Sequence, residues 1–290
     1  MKKIVSLILA VLMLACVLTG CANNDPAPAE TPAASEEPTT IRVGAMTGPT
    51  AMGMVKLMDE SDKGESANKY EFSLQTEATA FAPALTKGEI DIAAVPANLA
   101  SVIYNNTNGG IKVLAVNATG VLYIVERGNS ISSFADLAGK KLYATGEGAT
   151  PELALRYLLK ANGLDGDNAP TIQWCADTTE ALSYISNDEN AVAMLPQPFV
   201  TAAQTKVEGL NVALNLNEEW QKVNDGASMA TGVIVVRTEF AEKYPQQLEK
   251  FMQEYAESVK FVNENTEQAA ELIGNYEIVK APIALKALPY

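Results

Sequence analysis

Regular alternation of strand-like and helix-like segments constrains the fold of this 290-residue chain more than any other feature. Six short apolar segments are each followed by a segment of helical periodicity. They lie at 41–45, 70–75, 90–95, 141–144, 171–175 and 191–195. Such alternation is typical of α/β proteins, in which helices cover both faces of a largely parallel sheet. We therefore predict an α/β fold built from parallel-rich sheets flanked by helices.

The loops that follow the predicted strands are short and rich in Gly, Pro, Thr and Asn. They lie at 47–50, 77–79, 96–98, 145–150, 176–178 and 196–198. In open α/β sheets, ligands bind outside the carboxyl ends of the strands, against free N–H groups of helix N-termini. None of these loops carries the glycine pattern of a dinucleotide or nucleoside triphosphate site. We therefore expect a cleft for another kind of small molecule.

The first 21 residues predict export. Lys2 and Lys3 precede an apolar run over 4–18, which is short for a membrane-spanning helix and is followed by small residues. The run ends in Leu-Thr-Gly-Cys, which resembles the lipobox of bacterial lipoproteins, whose cysteine is acylated. We expect residues 1–20 to be a lipoprotein signal peptide and Cys21 to be lipidated, which would anchor the protein to the cell membrane facing the extracellular space or periplasm. The alternative is an ordinary signal peptide with a chance cysteine.

The segment after Cys21 reads ANNDPAPAETPAASEEPTT and contains no large apolar side chain. Such a composition cannot bury enough surface to offset the entropy of ordering. We therefore predict a disordered Pro/Glu linker up to residue 40, with the folded body beginning at residue 41.

Charge and residue usage exclude several classes of function. The chain carries 21 basic and 35 acidic residues, a net charge of −14, which argues against nucleic acid as a partner. It has no histidine, so imidazole bases and the usual zinc ligands are missing. Beyond Cys21 only Cys175 remains, so the body cannot form an internal disulfide. We expect no catalytic residue, cofactor or metal, and therefore no enzyme.

Four stretches occur in an order that resembles the substrate-binding proteins of ABC importers, of the nitrate, sulfonate, taurine and thiamine-pyrimidine type. They are IRVGAMTGPTAMG at 41–53, KGEIDIAAVP at 87–96, FADLAGKKLY at 134–143 and VIVVRTEFAEKYP at 233–245. The resemblance implies a type II periplasmic-binding-protein fold, in which two lobes close on a ligand. Lobe 1 is then 41–118 plus 231–290 and lobe 2 is 119–230, with crossovers near 117–121 and 216–231. It further implies a monomer that delivers its ligand to permease subunits and, through them, to an ATPase.

The resemblance also implies ligand-binding positions wherever a loop matches. These are Thr47, Gly48, Thr50, Thr79, Pro96 and Asn98 on lobe 1, and Gly146, Gly148, Thr150, Asp177 and Gln197 on lobe 2. Two of them have simpler explanations: Thr150-Pro151 is a good helix start, and Asp177 with Glu180 has the spacing of a capping box.

Ligand charge stays open at this point. No arginine falls in a candidate loop, and helix N-termini with threonine hydroxyls could hold a sulfonate or nitrate without one. Acidic residues in the loops, Glu77, Glu147 and Asp177, would instead suit a cationic ligand. Five aromatic residues could stack on a pyrimidine-like ring: Tyr104, Tyr123, Tyr143, Trp174 and Phe199.

Two other functions are compatible with the same fold. A ligand-binding sensor or surface lipoprotein would close on a ligand without serving a transporter. A pyrimidine-synthesising enzyme of related fold depends on histidine and a cysteine-rich motif, which this chain does not have. The last residues, 276–290, end on an apolar stretch, and an exposed apolar face over 283–288 is expected if a further helix normally covers it.

Overall fold

The computed structural model describes residues 39–76 and 80–290. The predicted signal peptide, Cys21, the linker and Thr79 lie outside the described residues. The described strands form two five-stranded sheets, each covered by helices on both faces.

The first sheet has the strand order β2-β1-β3-β10-β4. Its strands are β1 Thr40–Met46, β2 Lys69–Gln75, β3 Ile92–Pro96, β4 Ile111–Thr119 and β10 Ala230–Arg237. The helices of this lobe are α1 Pro49–Met52, α2 Val55–Lys63, α3 Phe81–Thr86, α4 Ala97–Asn106, α9 Thr238–Lys243, α10 Pro245–Glu264, α11 Thr266–Asn275 and α12 Ala281–Ala287.

The second sheet has the strand order β7-β6-β8-β5-β9. Its strands are β5 Leu122–Glu126, β6 Lys141–Thr145, β7 Thr171–Cys175, β8 Val192–Pro196 and β9 Asn211–Asn215. Its helices are α5 Thr150–Ala161, α6 Thr178–Asn187, α7 Phe199–Gln204 and α8 Leu216–Lys222, and a 3-10 turn covers Phe134–Leu137.

Both sheets are mixed rather than purely parallel. β1 pairs in parallel with β2 and β3, and β6 does so with β7 and β8. In contrast, β10 and β5 run antiparallel to both of their neighbours. These two strands are the first that the chain forms after it passes from one sheet to the other. The antiparallel member of each sheet therefore lies where the chain enters that lobe.

Side-chain alternation places a separate hydrophobic layer on each face of each sheet. In β3, Ile92 and Ala94 pack toward α2 and α10, whereas Ala93 and Val95 pack toward α3 and α4. The second sheet is built in the same way, with Leu122 on one face and Tyr123 on the other. Strands buried on both faces in this manner read as continuous apolar runs, which is why they are recognisable in the sequence.

A buried carboxylate joins three strands at the end of the first sheet that lies away from the loops after β1 and β3. Asp91 accepts hydrogen bonds from Nε and Nη2 of Arg42 at 2.8 and 2.7 Å, and from Nη2 of Arg237 at 3.0 Å. Burial acts to raise the pKa of Asp91, but the hydrogen bonds from the two arginines outweigh it and hold the pKa below its usual value. The ion triad therefore fixes the starts of β1 and β3 to the end of β10.

The C-terminal segment contacts both lobes. Ala284 and Ala287 of α12 are buried, while Leu285 remains exposed. At the end of the chain, the hydroxyl of Tyr123 in β5 donates to the carbonyl oxygen of Tyr290 at 3.2 Å, and their rings meet edge to face. The apolar face expected over 283–288 is thus partly buried, because Ala284 and Leu288 pack against Ala270 and Ile273 of α11.

Candidate functional site

A cavity of about 280 Å³ lies between the loop ends of the two sheets. Its wall is formed by strand ends, helix starts and the two crossovers. The lining residues are Met46, Thr47, Gly48, Pro49, Thr50, Pro96, Ala118, Val121, Leu122, Thr145, Gly146, Ala149, Thr150, Pro151, Pro196, Gln197, Phe199 and Thr231. The volume is at the lower end of the range of roughly 300–1,000 Å³ typical of ligand pockets, so the cavity suits a small ligand.

The two lobes contribute corresponding elements to this cavity. β1 and β3 of the first sheet end at Met46 and Pro96, and β6 and β8 of the second end at Thr145 and Pro196. Each of these four strands is followed closely by a helix. The N-terminal ends of α4 and α5, helices of 10 and 12 residues, therefore direct backbone N–H groups and the positive ends of their dipoles toward the space between the lobes.

The described lining contains no charged side chain. Its polar side chains are five threonines and Gln197, and most of the remaining wall is apolar or proline. Three of the threonine hydroxyls already donate to backbone carbonyls: Thr50 to that of Met46 at 2.6 Å, Thr231 to that of Ala118 at 3.1 Å and Thr47, more weakly, to that of Gln75 at 3.4 Å. The cavity therefore offers a mainly apolar surface with a few hydrogen-bonding groups.

Two polar side chains of the wall retain capacity to donate. Gln197 is buried and its Oε1 accepts from the Thr201 hydroxyl at 3.0 Å, but its amide nitrogen has no partner within residues 39–76 and 80–290. Thr145 is also buried, and its hydroxyl makes no hydrogen bond to any described residue. Both belong to lobe 2, next to the start of α5 or α7. These donors, with the N–H groups of α5, can bind oxygen atoms of a ligand.

A hydrogen bond joins the two lobes at the edge of the cavity. The hydroxyl of Thr150, the first residue of α5, donates to Oδ1 of Asn98 in α4 at 2.8 Å. The backbone N–H of Asn98 in turn points at the Thr150 hydroxyl at 3.4 Å. We call this pair the interlobe bridge.

Most of the sequence-predicted site residues come together at the cavity. Those that line it are Thr47, Gly48, Thr50, Pro96, Gly146, Thr150 and Gln197. Asn98 reaches it only through the interlobe bridge. Gly146 has a specific backbone role, because its φ is +86° and a Cβ there would approach Cγ of Pro151 to 2.7 Å. Only glycine fits this turn without displacing the start of α5.

Two predicted residues, Gly148 and Asp177, lie outside the cavity, because local structure uses their polar groups. The N–H of Gly148 donates to the carboxylate of Glu152 at 2.7 Å, and that bond, with one from Arg156, lowers the pKa of Glu152. Asp177 caps α6 by accepting from the N–H groups of Thr179 and Glu180. The helix-capping role expected for Asp177 is therefore present, but the capping box is not complete, because the Glu180 carboxylate accepts from the N–H of Ala176 at 2.7 Å rather than from that of Asp177.

Sequence reasoning missed the lining residues that lie at the crossovers. Ala118 and Val121 come from the first crossover, and Thr231 is the last residue of the second. The crossovers carry no sequence motif. Their position between the lobes could nevertheless have indicated that they line the cavity. Of the five aromatic candidates, only Phe199 lines the cavity; Tyr143, for example, stacks on Tyr184 in the core of lobe 2.

Two lobes that the chain connects by two crossovers, with a small, uncharged cavity between their strand ends, define a ligand-binding protein of the kind that closes around a solute. The chain matches, over residues 65–281, the family described as "ABC transporter, phosphonate, periplasmic substrate-binding protein". Because the match covers most of the chain, the protein belongs to this family.

Solved structures agree on the fold. An ABC transporter protein from Parabacteroides distasonis superimposes with a TM-score of 0.68 at 22% identity, covering 86% of this chain and 84% of that one. The aliphatic sulphonate binding protein SsuA of Escherichia coli gives 0.68 at 18% identity, covering 87% and 79%. The nitrate-binding protein NrtA of Synechocystis gives 0.59 at 15% identity, covering 82% and 66%. A comparison with curated protein sequences finds no match.

These comparisons confirm the predicted α/β two-lobe fold and the solute-binding role in an ABC importer. The family whose model matches is that of phosphonate-binding proteins, which the sequence analysis did not name. Family members act outside the cytoplasm and deliver a small ligand to permease components. Within the described part of the chain, no helix combines the length and the hydropathy needed to cross a membrane.

Proposed function

We propose that this protein captures a small organic anion with one compact oxyanion head and a short apolar body, of which alkanesulfonates are the model, and delivers it to the permease of an ABC importer. The uncharged cavity between the lobes is the single observation that carries this proposal. The names of the relatives are consistent with it, since they include phosphonate- and sulphonate-binding proteins.

The lining favours one negative charge on the head rather than two. Buried anions need compensating partners, and here the available partners are N–H groups, hydroxyls and an amide, with no cationic side chain among the described lining residues. A sulfonate, which carries one charge, is therefore better matched than a doubly ionised phosphonate. A cationic or amine-bearing ligand is disfavoured because Glu147 and Asp177 do not line the cavity.

The ligand-binding role is proposed for the seven cavity residues named above and for Thr145. Asn98 and Thr150 act together as the interlobe bridge, and Gln197 and Thr145 supply donors. Thr79 stays a prediction, because it lies outside the described residues. The described cavity wall contains no acidic or basic side chain that could act as a catalytic acid or base or activate a nucleophile. We therefore propose binding without catalysis.

A matched set of ligands tests this proposal by thermal unfolding and calorimetry. Ethanesulfonate, taurine and ethylphosphonate share a two-carbon body, but taurine adds an ammonium group and ethylphosphonate adds a second ionisation. We expect ethanesulfonate to bind most tightly. At a hundred times its Kd it adds about 2.7 kcal/mol to the folded state, which raises Tm by roughly 5–10 °C for a body of this size. Tightest binding of taurine, or no shift with any of the three, would contradict the proposed ligand class.

Membrane attachment is a separate part of the proposal. We propose that residues 1–20 direct export, that the lipidated Cys21 holds the protein at the membrane, and that residues 22–40 act as the tether. A Cys21→Ser variant should move from the membrane fraction to the soluble exported fraction. Cys16→Ser is the matched control, because that cysteine lies within the predicted signal peptide and should not affect fractionation.

A further inference from the structure

A second cavity, of about 340 Å³, borders the first crossover next to the cavity between the lobes, which we call the interlobe cavity. The far wall of this rear cavity includes Val259 and Val262 of α10 and Leu288 of the C-terminal segment. Four residues line both cavities: Pro49, Ala118, Val121 and Gln197. The interlobe cavity is therefore separated by a thin shared wall from a space of comparable size.

Val121 is the residue of this shared wall whose side chain contributes only bulk. Ala118 carries no more than a methyl group, and Pro49 is fixed at the first position of α1. Gln197 accepts from the Thr201 hydroxyl at 3.0 Å and supplies a donor to the interlobe cavity. Val121 has no polar side-chain atom, so its side chain can be removed without the loss of a hydrogen bond. What its isopropyl group adds is volume at the boundary between the two cavities.

The backbone at Val121 does not favour a valine. Among the residues that the structure describes, four other than glycine have positive φ. Three of them are polar and exposed: Asn108, Asp225 and Glu277. Val121, with φ of 65°, is instead β-branched and lines both cavities. Glycine or asparagine adopts this conformation more easily, and strained residues cluster where ligands bind. The residue type at 121 therefore suits the boundary and not the local backbone.

We propose that the side chain of Val121 is the partition that limits the length of the ligand. The inference rests on the proposed function, because it concerns the apolar body of an anion whose head is bound by donors of lobe 2. With valine in place, the body ends at the partition and short 1-alkanesulfonates fit. Without this side chain, the body extends into the rear cavity, and each further methylene removed from water strengthens binding about fourfold.

Three substitutions of Val121 separate side-chain volume from backbone strain. Val121→Gly removes both, and Val121→Ala removes volume but keeps a Cβ at positive φ. Val121→Asn keeps a side chain of similar size and relieves the strain, because asparagine tolerates this conformation. Val259→Phe is the matched variant of the far wall, since it fills the rear cavity and does not line the interlobe cavity.

The measurement is the Kd of ethanesulfonate, butanesulfonate and hexanesulfonate by calorimetry, repeated with alkylphosphonates of the same lengths. Thermal unfolding without ligand verifies that each variant is folded, and Val121→Gly and Val121→Ala each test the partition independently. We expect the wild type and Val121→Asn to bind ethanesulfonate at least about tenfold more tightly than hexanesulfonate. Val121→Gly and Val121→Ala should bind hexanesulfonate at least as tightly as ethanesulfonate.

The variant of the far wall tests where the longer body goes. Val259→Phe alone should leave the binding of ethanesulfonate unchanged, and added to Val121→Gly it should restore the preference for the short ligand. A length preference that persists in Val121→Gly and Val121→Ala would overturn the partition and leave the proposed function standing. A Val121→Asn variant that behaves like Val121→Gly would also overturn it, because the backbone and not the side chain would then set the preference.

The alkylphosphonates keep the partition testable if the sulfonate assignment is wrong. If only this series binds, the proposed ligand class fails. A preference for short alkylphosphonates that Val121→Gly abolishes would then support the partition, and one that it leaves intact would overturn it.

Discussion

Replacing Thr150 by valine removes the hydroxyl of the interlobe bridge and keeps a β-branched side chain of similar volume. The substitution deletes one hydrogen bond of 2.8 Å to Asn98 Oδ1 and a weaker one of 3.4 Å from the Asn98 N–H. A typical net hydrogen bond contributes about 1 kcal/mol, so the bridged form should lose about 1–2 kcal/mol relative to the open form. Since 1.4 kcal/mol corresponds to a tenfold change in affinity, we expect roughly 5- to 30-fold weaker binding of ethanesulfonate.

A double-mutant cycle separates the bridge from direct ligand contacts. Thr150→Val, Asn98→Ala and the double variant are compared by calorimetry, with the radius of gyration from small-angle scattering as a measure of opening. If the two side chains act through their mutual bond, the double variant binds ethanesulfonate no more weakly than the single variant with the lower affinity. All three variants should also have a larger radius of gyration than the wild type. Strictly additive losses, or unchanged affinity and dimensions, would refute the bridge as the element that holds the lobes together.

Three further predictions concern the stability of the fold and the chemistry of buried groups. Asp91→Asn should lower the free energy of unfolding, measured by urea titration at pH 7, by about 2–4 kcal/mol, because Arg42 and Arg237 lose a buried partner. The control is Glu242→Gln, which removes an exposed pair with Lys112 and should cost less than about 1 kcal/mol. The pKa of Asp91 is lowered in the folded state, so its contribution to stability is present above the unfolded pKa of about 3.9 and is lost as pH falls through the folded pKa. The difference in unfolding free energy between wild type and Asp91→Asn should therefore narrow below about pH 4. A difference that stays constant with pH would argue against the triad. Gly146→Ala should destabilise the protein more than Gly139→Ala and weaken ethanesulfonate binding, since both have positive φ but only the first meets Pro151; equal effects in calorimetry would contradict this. Burial, helped by nearby Glu180, raises the pKa of Cys175, so in protein beginning at residue 22 an aromatic disulfide reagent should react fast only after unfolding.

The sequence predicts most strands of this fold because they are buried on both faces. β3 and β8 are continuous apolar runs that end at a proline, and both were expected within one or two residues. Strand direction was harder to predict, because the antiparallel pairing of β5 and β10 depends on the crossovers rather than on local pattern. β9 and α8 were not expected, since β9 is a short edge strand and α8 lies in a segment that was taken as crossover.

The site residues that could be predicted are those that follow the strands, because ligands of α/β proteins bind at the carboxyl ends of strands. Thr47, Thr50 and Thr150 come directly after strands, and topology brings them to one cavity. The rule cannot tell which polar groups local structure will use, which is why Gly148 and Asp177 were included. It also does not reveal that Asn98 and Thr150 bind each other, because contacts between lobes depend on their relative orientation.

The first crossover has a consequence for the backbone energy of the connection between the lobes. Gly120 and Val121 both have positive φ, at 68° and 65°. Glycine adopts this conformation freely, whereas a β-branched residue is strained there by about 1–3 kcal/mol. The conformation persists because the backbone is held on both sides: the N–H of Gly120 donates to the carbonyl of Met229 at 2.9 Å, and the carbonyl of Val121 accepts from the N–H of Gln197 at 2.8 Å. The crossover therefore holds about 1–3 kcal/mol of backbone strain at the point where the chain passes between the lobes.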